Sequence, residues 1–179
     1  YPHDIFYAVG YRKSKGVTGD KNMKIVYFAG AIRGDRTMAD TIQEIVGYIK
    51  KLGFPVLTEH VGTDDPIGTF AEKVGKTKET LSAEDIEKQD IQWLDQATHV
   101  IAEISGASTG TGREIEYARV KGKLGKTPAQ ILCLYHGDRE FYASPMMRGM
   151  TRERYPNILI KHYAEMSEVR QIIKEFLEV

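Results

Sequence analysis

The chain has 179 residues, and its 25 Lys and Arg balance 25 Asp and Glu, so its formal net charge at pH 7 is zero. That length fits one domain with a sizeable core. A zero balance leaves no basic surplus for a nucleic-acid backbone or an anionic membrane and favours a small-molecule partner. The single cysteine, Cys133, lies in the apolar run ILCL at 131–134; it excludes a disulfide framework within one chain and reads as a buried core thiol.

Residues 1–22 (YPHDIFYAVGYRKSKGVTGDKN) show no clear period and are expected to be a leader or tag remnant. Met23 stands directly before the first strong strand, and a single domain is expected over 23–179. No apolar stretch reaches bilayer-spanning length and nothing at the start has the form of a signal peptide, so the expected compartment is the cytosol. Lys24 to Ala29 (KIVYFA), ending at Gly30, predicts a buried first strand. After a polar turn at 33–36, Met38, Ile42, Ile45, Val46, Ile49 and Leu52 recur at helical spacing, and Gly53 supplies a stop. FPVLT at 54–58 predicts a second strand, and the Gly-, Thr- and Lys-rich stretch 61–82 a mobile loop.

Ser82 predicts the cap of a further helix, with Glu84 and Asp85 in its first turn and Ile86, Trp93, Leu94 and Ala97 on one face. His99 to Ile104 reads as a third strand. The loop SGASTGTG leads into a helix over 111–121, 131–135 reads as a fourth strand, and 157–160 as a weaker fifth. A last helix carries Val169, Ile172, Ile173, Phe176 and Leu177. Strands alternating with helices predict an α/β fold, a flavodoxin-like or Rossmann-like doubly wound sheet. It would hold about five mostly parallel strands, with helices on both faces and ligands at the carboxyl ends of the strands.

Those ends bring together residues 30–36, 58–61, 105–114 and the stretch after Tyr135. The segment Ser108-Thr109-Gly110-Thr111-Gly112 is small and precedes a helix, as expected of a phosphate-holding loop or of an ordinary helix-capping loop. The dinucleotide fingerprint is incomplete there. Arg33 beside Gly34 is either a bidentate anion donor or a solvated arginine. Asp90 falls on the apolar stripe of its helix, where a carboxylate is costly unless paired, neutralised or open to a cavity. A general acid and a structural aspartate both fit that position. Glu114 lies in the first turn after the Gly-rich loop, where helix electrostatics alone would also favour an acid. Two carboxylates on one cleft suit cleavage at an acetal-like carbon, one attacking and the other protonating the departing group. That chemistry requires no metal or cofactor, and His60 and His99 show no metal-ligand pattern.

Several segments carry a resemblance: YFAGAIRGDR at 27–36, LTEHV at 57–61, QDIQWLDQATHVIAEIS at 89–105, STGTGREIEYA at 108–118, ILCL at 131–134 and SPMMRGM at 144–150. Together the sequence resembles the 2′-deoxynucleoside 5′-phosphate N-hydrolases, a branch of the nucleoside 2-deoxyribosyltransferase superfamily. The resemblance implies that Glu114 is a nucleophile forming a transient glycosyl ester, that Asp90 helps protonate the leaving base, and that Tyr27 orients Glu114. It implies phosphate contacts at Arg33, at Ser108 and at a Ser144 lent by a neighbouring subunit, with Gly30, Gly34, Gly110 and Gly112 in the substrate-binding loops. Ile32, His60, Ile86 and Met146 would line the base and sugar pocket. A homodimer is implied, in which Ser144 and Met146 complete the partner's site. Two positions depart from the pattern: Ala31 replaces an expected phosphate-binding serine, and Arg113 stands where an aromatic residue is common. Base exchange between nucleosides is the runner-up activity, and a non-catalytic nucleotide-binding module the third reading.

Overall fold

The computed structural model describes residues 23–179, so the predicted leader at 1–22 lies outside the described residues. Four strands form one parallel sheet in the order β1 (Val26–Ala29), β2 (His99–Glu103), β3 (Gln130–His136) and β4 (Ile158–Tyr163). The connecting helices are α1 (Ala39–Lys51), α2 (Pro66–Lys73), α3 (Ala83–Gln96), α4 (Thr109–Val120), α5 (Pro145–Arg148) and α6 (Met166–Leu177).

Alternation along the strands divides the core between two faces. Val26 and Phe28 on β1 join Ile101, Leu132 and Leu134 under α1 and α6, which contribute Ile42, Ile45, Ile49, Val169, Ile173 and Leu177. Tyr27 and Ala29 point the other way, with Val100, Ala102, Ile131 and Cys133, under Trp93 and Leu94 of α3 and Ile115 and Ala118 of α4. Helices on both faces of a parallel sheet give the doubly wound α/β architecture expected of the sequence.

The predicted second strand is reduced to one parallel bridge between Val56 and Val26. Val26 N donates to the Pro55 carbonyl at 3.0 Å, and Leu57 N to the Val26 carbonyl at 2.9 Å. Pro55 has no N–H to extend the ladder. Beyond Leu57, the Thr58 hydroxyl replaces strand pairing, accepting from Phe28 N at 2.8 Å and donating to the Phe28 carbonyl at 2.6 Å. This segment still flanks β1 on the side away from β2. The chain therefore leaves β1 in one direction and returns to its other side, which makes the β1/β2 junction the topological switch point where ligands bind in such sheets.

The predicted mobile loop at 61–82 contains α2. Asp65 caps it by accepting from Gly68 N at 3.1 Å, Pro66 occupies its first turn, and Phe70 and Ala71 are buried. Only one short apolar face marks this helix, and Gly68 interrupts it.

Candidate active site

The loops after β1 and β2 meet at the switch point. Gly34 is dictated by that approach, because a Cβ there would fall 2.4 Å from the Ala107 carbonyl oxygen. Arg139, from the 3₁₀ turn Gly137–Arg139, fastens the two loops. Its guanidinium donates to the Asp35 carboxylate and, at 3.2 Å, to the Ser105 carbonyl, and it stacks on Tyr142. Asp35 and Arg139 lie 104 positions apart, so no local spacing in the sequence marks them as partners.

Three predicted catalytic residues converge beside this junction. Tyr27, 1% exposed, projects from β1 towards α3 and α4, and its hydroxyl donates to Glu114 Oε1 at 3.0 Å. Burial, then the charges of Glu114 and Asp90, raise the Tyr27 pKa well above the usual phenol value, so Tyr27 remains a donor. Asp90 reaches the same place from α3. Burial pushes its carboxyl up to about 7, against the opposing effect of a Tyr27 hydrogen bond. Glu114 on α4 is likewise raised to about 7, by burial first and then by the Asp90 charge. Two carboxyls that oppose each other's ionisation share a proton over an interval around neutrality. The arrangement therefore offers one nucleophilic carboxylate and one proton donor beside the same tyrosine.

The two helices are fixed by their ends. Ser82 and Asp85 form a capping box at the start of α3. At its other end the buried Lys121 ammonium donates to the carbonyls of Leu94 and Ala97, the latter at 2.6 Å. Lys121 immediately follows α4, three residues after the buried Ala118, and so continues the buried stripe of that helix, the same spacing signal that marks Asp90 on α3. The Ser108 side chain caps α4, accepting from Thr111 N at 3.3 Å and from the Thr111 hydroxyl at 3.0 Å.

The remaining predicted contacts surround this centre unevenly. Arg33 and Gly34 are exposed, Gly30 and Ala31 are buried, and nothing within 4 Å would meet a Cβ on Gly110 or Gly112. Among the described residues no packing requires those two glycines. His60 is 2% exposed, packs edge-on to Phe70 at 5.0 Å and lies 5.7 Å from Trp93, one turn beyond Asp90. Burial lowers its pKa to about 4, so the ring is neutral at physiological pH. Its Nδ1 is buried without a hydrogen-bond partner among the described residues. Ile32 packs against the α1 side of the core and Ile86 against the α3 side. Ser144 and Met146 are exposed on and beside α5, and no hydrogen bond among the described residues joins Ser144 to Tyr27, Asp90 or Glu114. Arg113, the departure from the family pattern that the sequence places either near the phosphate or in solvent, pairs with Glu87 of α3 at 2.6 Å and is exposed.

The chain is similar to several known proteins. The 5-hydroxymethyl-dUMP N-hydrolase of Danio rerio is 33% identical over 153 residues, covering 86% of this chain and 95% of the relative. The human protein of the same description is 34% identical over 133 residues, 73% of this chain and 68% of its own length. Among solved structures, the Clostridium botulinum CMP N-glycosidase BcmB shares the fold, with a TM-score of 0.56 at 19% identity, over 86% of this chain and 99% of that one. The profile of the nucleoside 2-deoxyribosyltransferase family matches residues 26–159, and the chain belongs to that family.

Proposed function

We propose that this chain hydrolyses the N-glycosidic bond of a 2′-deoxynucleoside 5′-monophosphate, giving free base and 2-deoxyribose 5-phosphate. One observation carries the reading: the Tyr27 hydroxyl holds Glu114 at 3.0 Å while Asp90, raised towards neutrality, faces the same group. In the first step a Glu114 oxygen attacks C1′. The C1′–N bond breaks, its electron pair goes to the base nitrogen, and Asp90 supplies the proton. In the second step water attacks C1′, Asp90 takes its proton, and the Glu114 carboxylate leaves.

Arg33, Ser108 and the free amides at the start of α4 are assigned to the 5′-phosphate, an anion suited to a helix N-terminus. The Danio and human relatives are named for a deoxynucleoside 5′-monophosphate, which supports a phosphorylated substrate. His60, Ile32 and Ile86 are assigned to the base and sugar, and Ser144 and Met146 to the site of a homodimeric partner. No described helix is long and apolar enough to cross a membrane. The cytosol is the compartment we assign to the activity.

The test is a panel of deoxynucleoside monophosphates and matching nucleosides, with and without an acceptor base. Free base and deoxyribose 5-phosphate are expected without acceptor, and Glu114→Gln is expected to lower kcat by at least ~10³-fold. Product formed only with an acceptor base would establish transfer instead, and full activity in the variant would remove Glu114 as nucleophile.

A further inference from the structure

Helices α3 and α4 each bring one carboxyl to Tyr27, and each carries a charged residue close to that carboxyl in the chain. Arg113 directly precedes Glu114. Glu87 precedes Asp90 by three residues, hence on the same side of α3. Arg113 Nη2 meets Glu87 Oε1 at 2.6 Å, tying the two helices at the level of the carboxyls. With side chains 58% and 46% exposed, this ion pair adds little to stability. Its electrostatic position is more consequential.

We propose that the Arg113–Glu87 pair sets the proton order of the catalytic carboxyls, Arg113 standing as a fixed cation beside Glu114 and Glu87 as a fixed anion one turn from Asp90. The proposal rests on the hydrolase reading, in which Glu114 must be ionised while Asp90 holds the proton. Both Arg113 and Glu87 act through the carboxyls and are positioning residues. The groups that bear on the two carboxyls, besides the carboxyls themselves, come from three elements: Tyr27 on β1, Glu87 on α3 and Arg113 on α4. Arg113 favours the ionised form of both carboxyls, whereas Glu87 disfavours ionisation of Asp90. The pair therefore works asymmetrically. Its cation favours ionisation of both carboxyls, which assists formation of the nucleophile, and its anion acts on Asp90, where it favours the protonated acid.

The asymmetry gives opposite signs in two neutralising variants. In a bell-shaped profile of kcat/KM the acid limb follows formation of the one-proton state, and the alkaline limb follows loss of the last proton. Arg113→Gln removes the cation, so both limbs are expected to move to higher pH, by about half a unit or more for a partly exposed charge. Glu87→Gln removes the anion, so the alkaline limb is expected to move to lower pH. Arg113→Lys, which keeps the charge, is expected to restore the Arg113 limb positions.

The experiment records these profiles on a hydrolysed deoxynucleoside monophosphate, together with ¹³C carboxyl titrations of the free protein by NMR. Limbs and midpoints that stay put in Arg113→Gln, or that move in the same direction in both neutralising variants, would overturn the proposal. A strap of purely mechanical importance would lower activity at every pH without moving a midpoint. The NMR titration needs no turnover. Shifted midpoints in a protein that hydrolyses no monophosphate would support the charge assignment and overturn the hydrolase reading, and fixed midpoints in an active enzyme would do the reverse.

Discussion

Glu114 and Asp90 are held in a place that disfavours their charged forms, and the sign of the cost follows from linkage. Burial raises the folded-state pKa of each carboxyl above its ordinary value. Below the unfolded pKa both states are protonated and nothing is lost. As pH rises through the interval up to about 7, the unfolded chain releases the proton first, so stability falls, and it levels off once the folded state has released it too. Glu114→Gln removes one ionisable group while leaving an amide oxygen for Tyr27. The variant is expected to be more stable than the parent at pH 8, by about 2 kcal/mol, and equal to it at pH 4. For a domain of this size that is about 4–8 °C in Tm. Thermal melts at the two pH values check it, and a variant less stable at pH 8 would contradict the assigned burial cost. Such a gain, paired with lost turnover, is the signature of a group retained for chemistry.

At the scale of elements, placement of the acid depends on α3, and α3 depends on Lys121. Without that ammonium the carbonyls of Leu94 and Ala97 lose a charged donor at the buried end of the helix. Lys121→Met is expected to cost about 1.5–3 kcal/mol and lower Tm by about 3–12 °C, measured by denaturant and thermal unfolding. An unchanged midpoint would show that water replaces the lysine without loss. The sheet was legible in the sequence because buried parallel strands read as continuous apolar runs, as at 26–29 and 131–134. Helices α1, α3 and α6 were legible from long apolar stripes. The edge segment at 54–58 was over-read, since its apolar residues carry no information about the Thr58 hydroxyl that ends the ladder. Helix α2 was missed because eight residues bury only Pro66, Phe70 and Ala71. Asp90 stood out as a charge on an apolar stripe, while Asp35, Glu87 and Arg139 act through partners far along the chain and left no period to read.

For the whole molecule the question is whether one chain makes a complete site. The segment around α5 presents Phe141, Tyr142 and Met146 at 90%, 58% and 83% exposure, close together in sequence. A lone exposed apolar residue is ordinary; here the Phe141 and Tyr142 rings pack on each other at 5.6 Å and Met146 follows four residues later, which suits this segment to the proposed dimer contact. In a twofold dimer the same patch serves both copies, so a residue lent outward by one chain is matched by one received from the other. If Ser144 and Met146 work in the partner's cleft, lesions on the two sides of the site can be separated. A Glu114→Gln homodimer has two dead sites, and a Ser144→Ala/Met146→Ala homodimer has two impaired ones. The heterodimer of these chains places all lesions in one site and leaves the other intact, so it should recover about half of the wild-type activity per dimer. Differently tagged chains, co-expressed and purified through both tags, provide that species. Activity no higher than the mean of the two parent variants would mean that each chain supplies its own Ser144 and Met146. Phe141→Glu tests the proposed dimer a second way: if this patch is the contact, an unpaired charge there should give a monomer in sedimentation and lower activity with it, whereas an unchanged mass would show that the contact lies elsewhere.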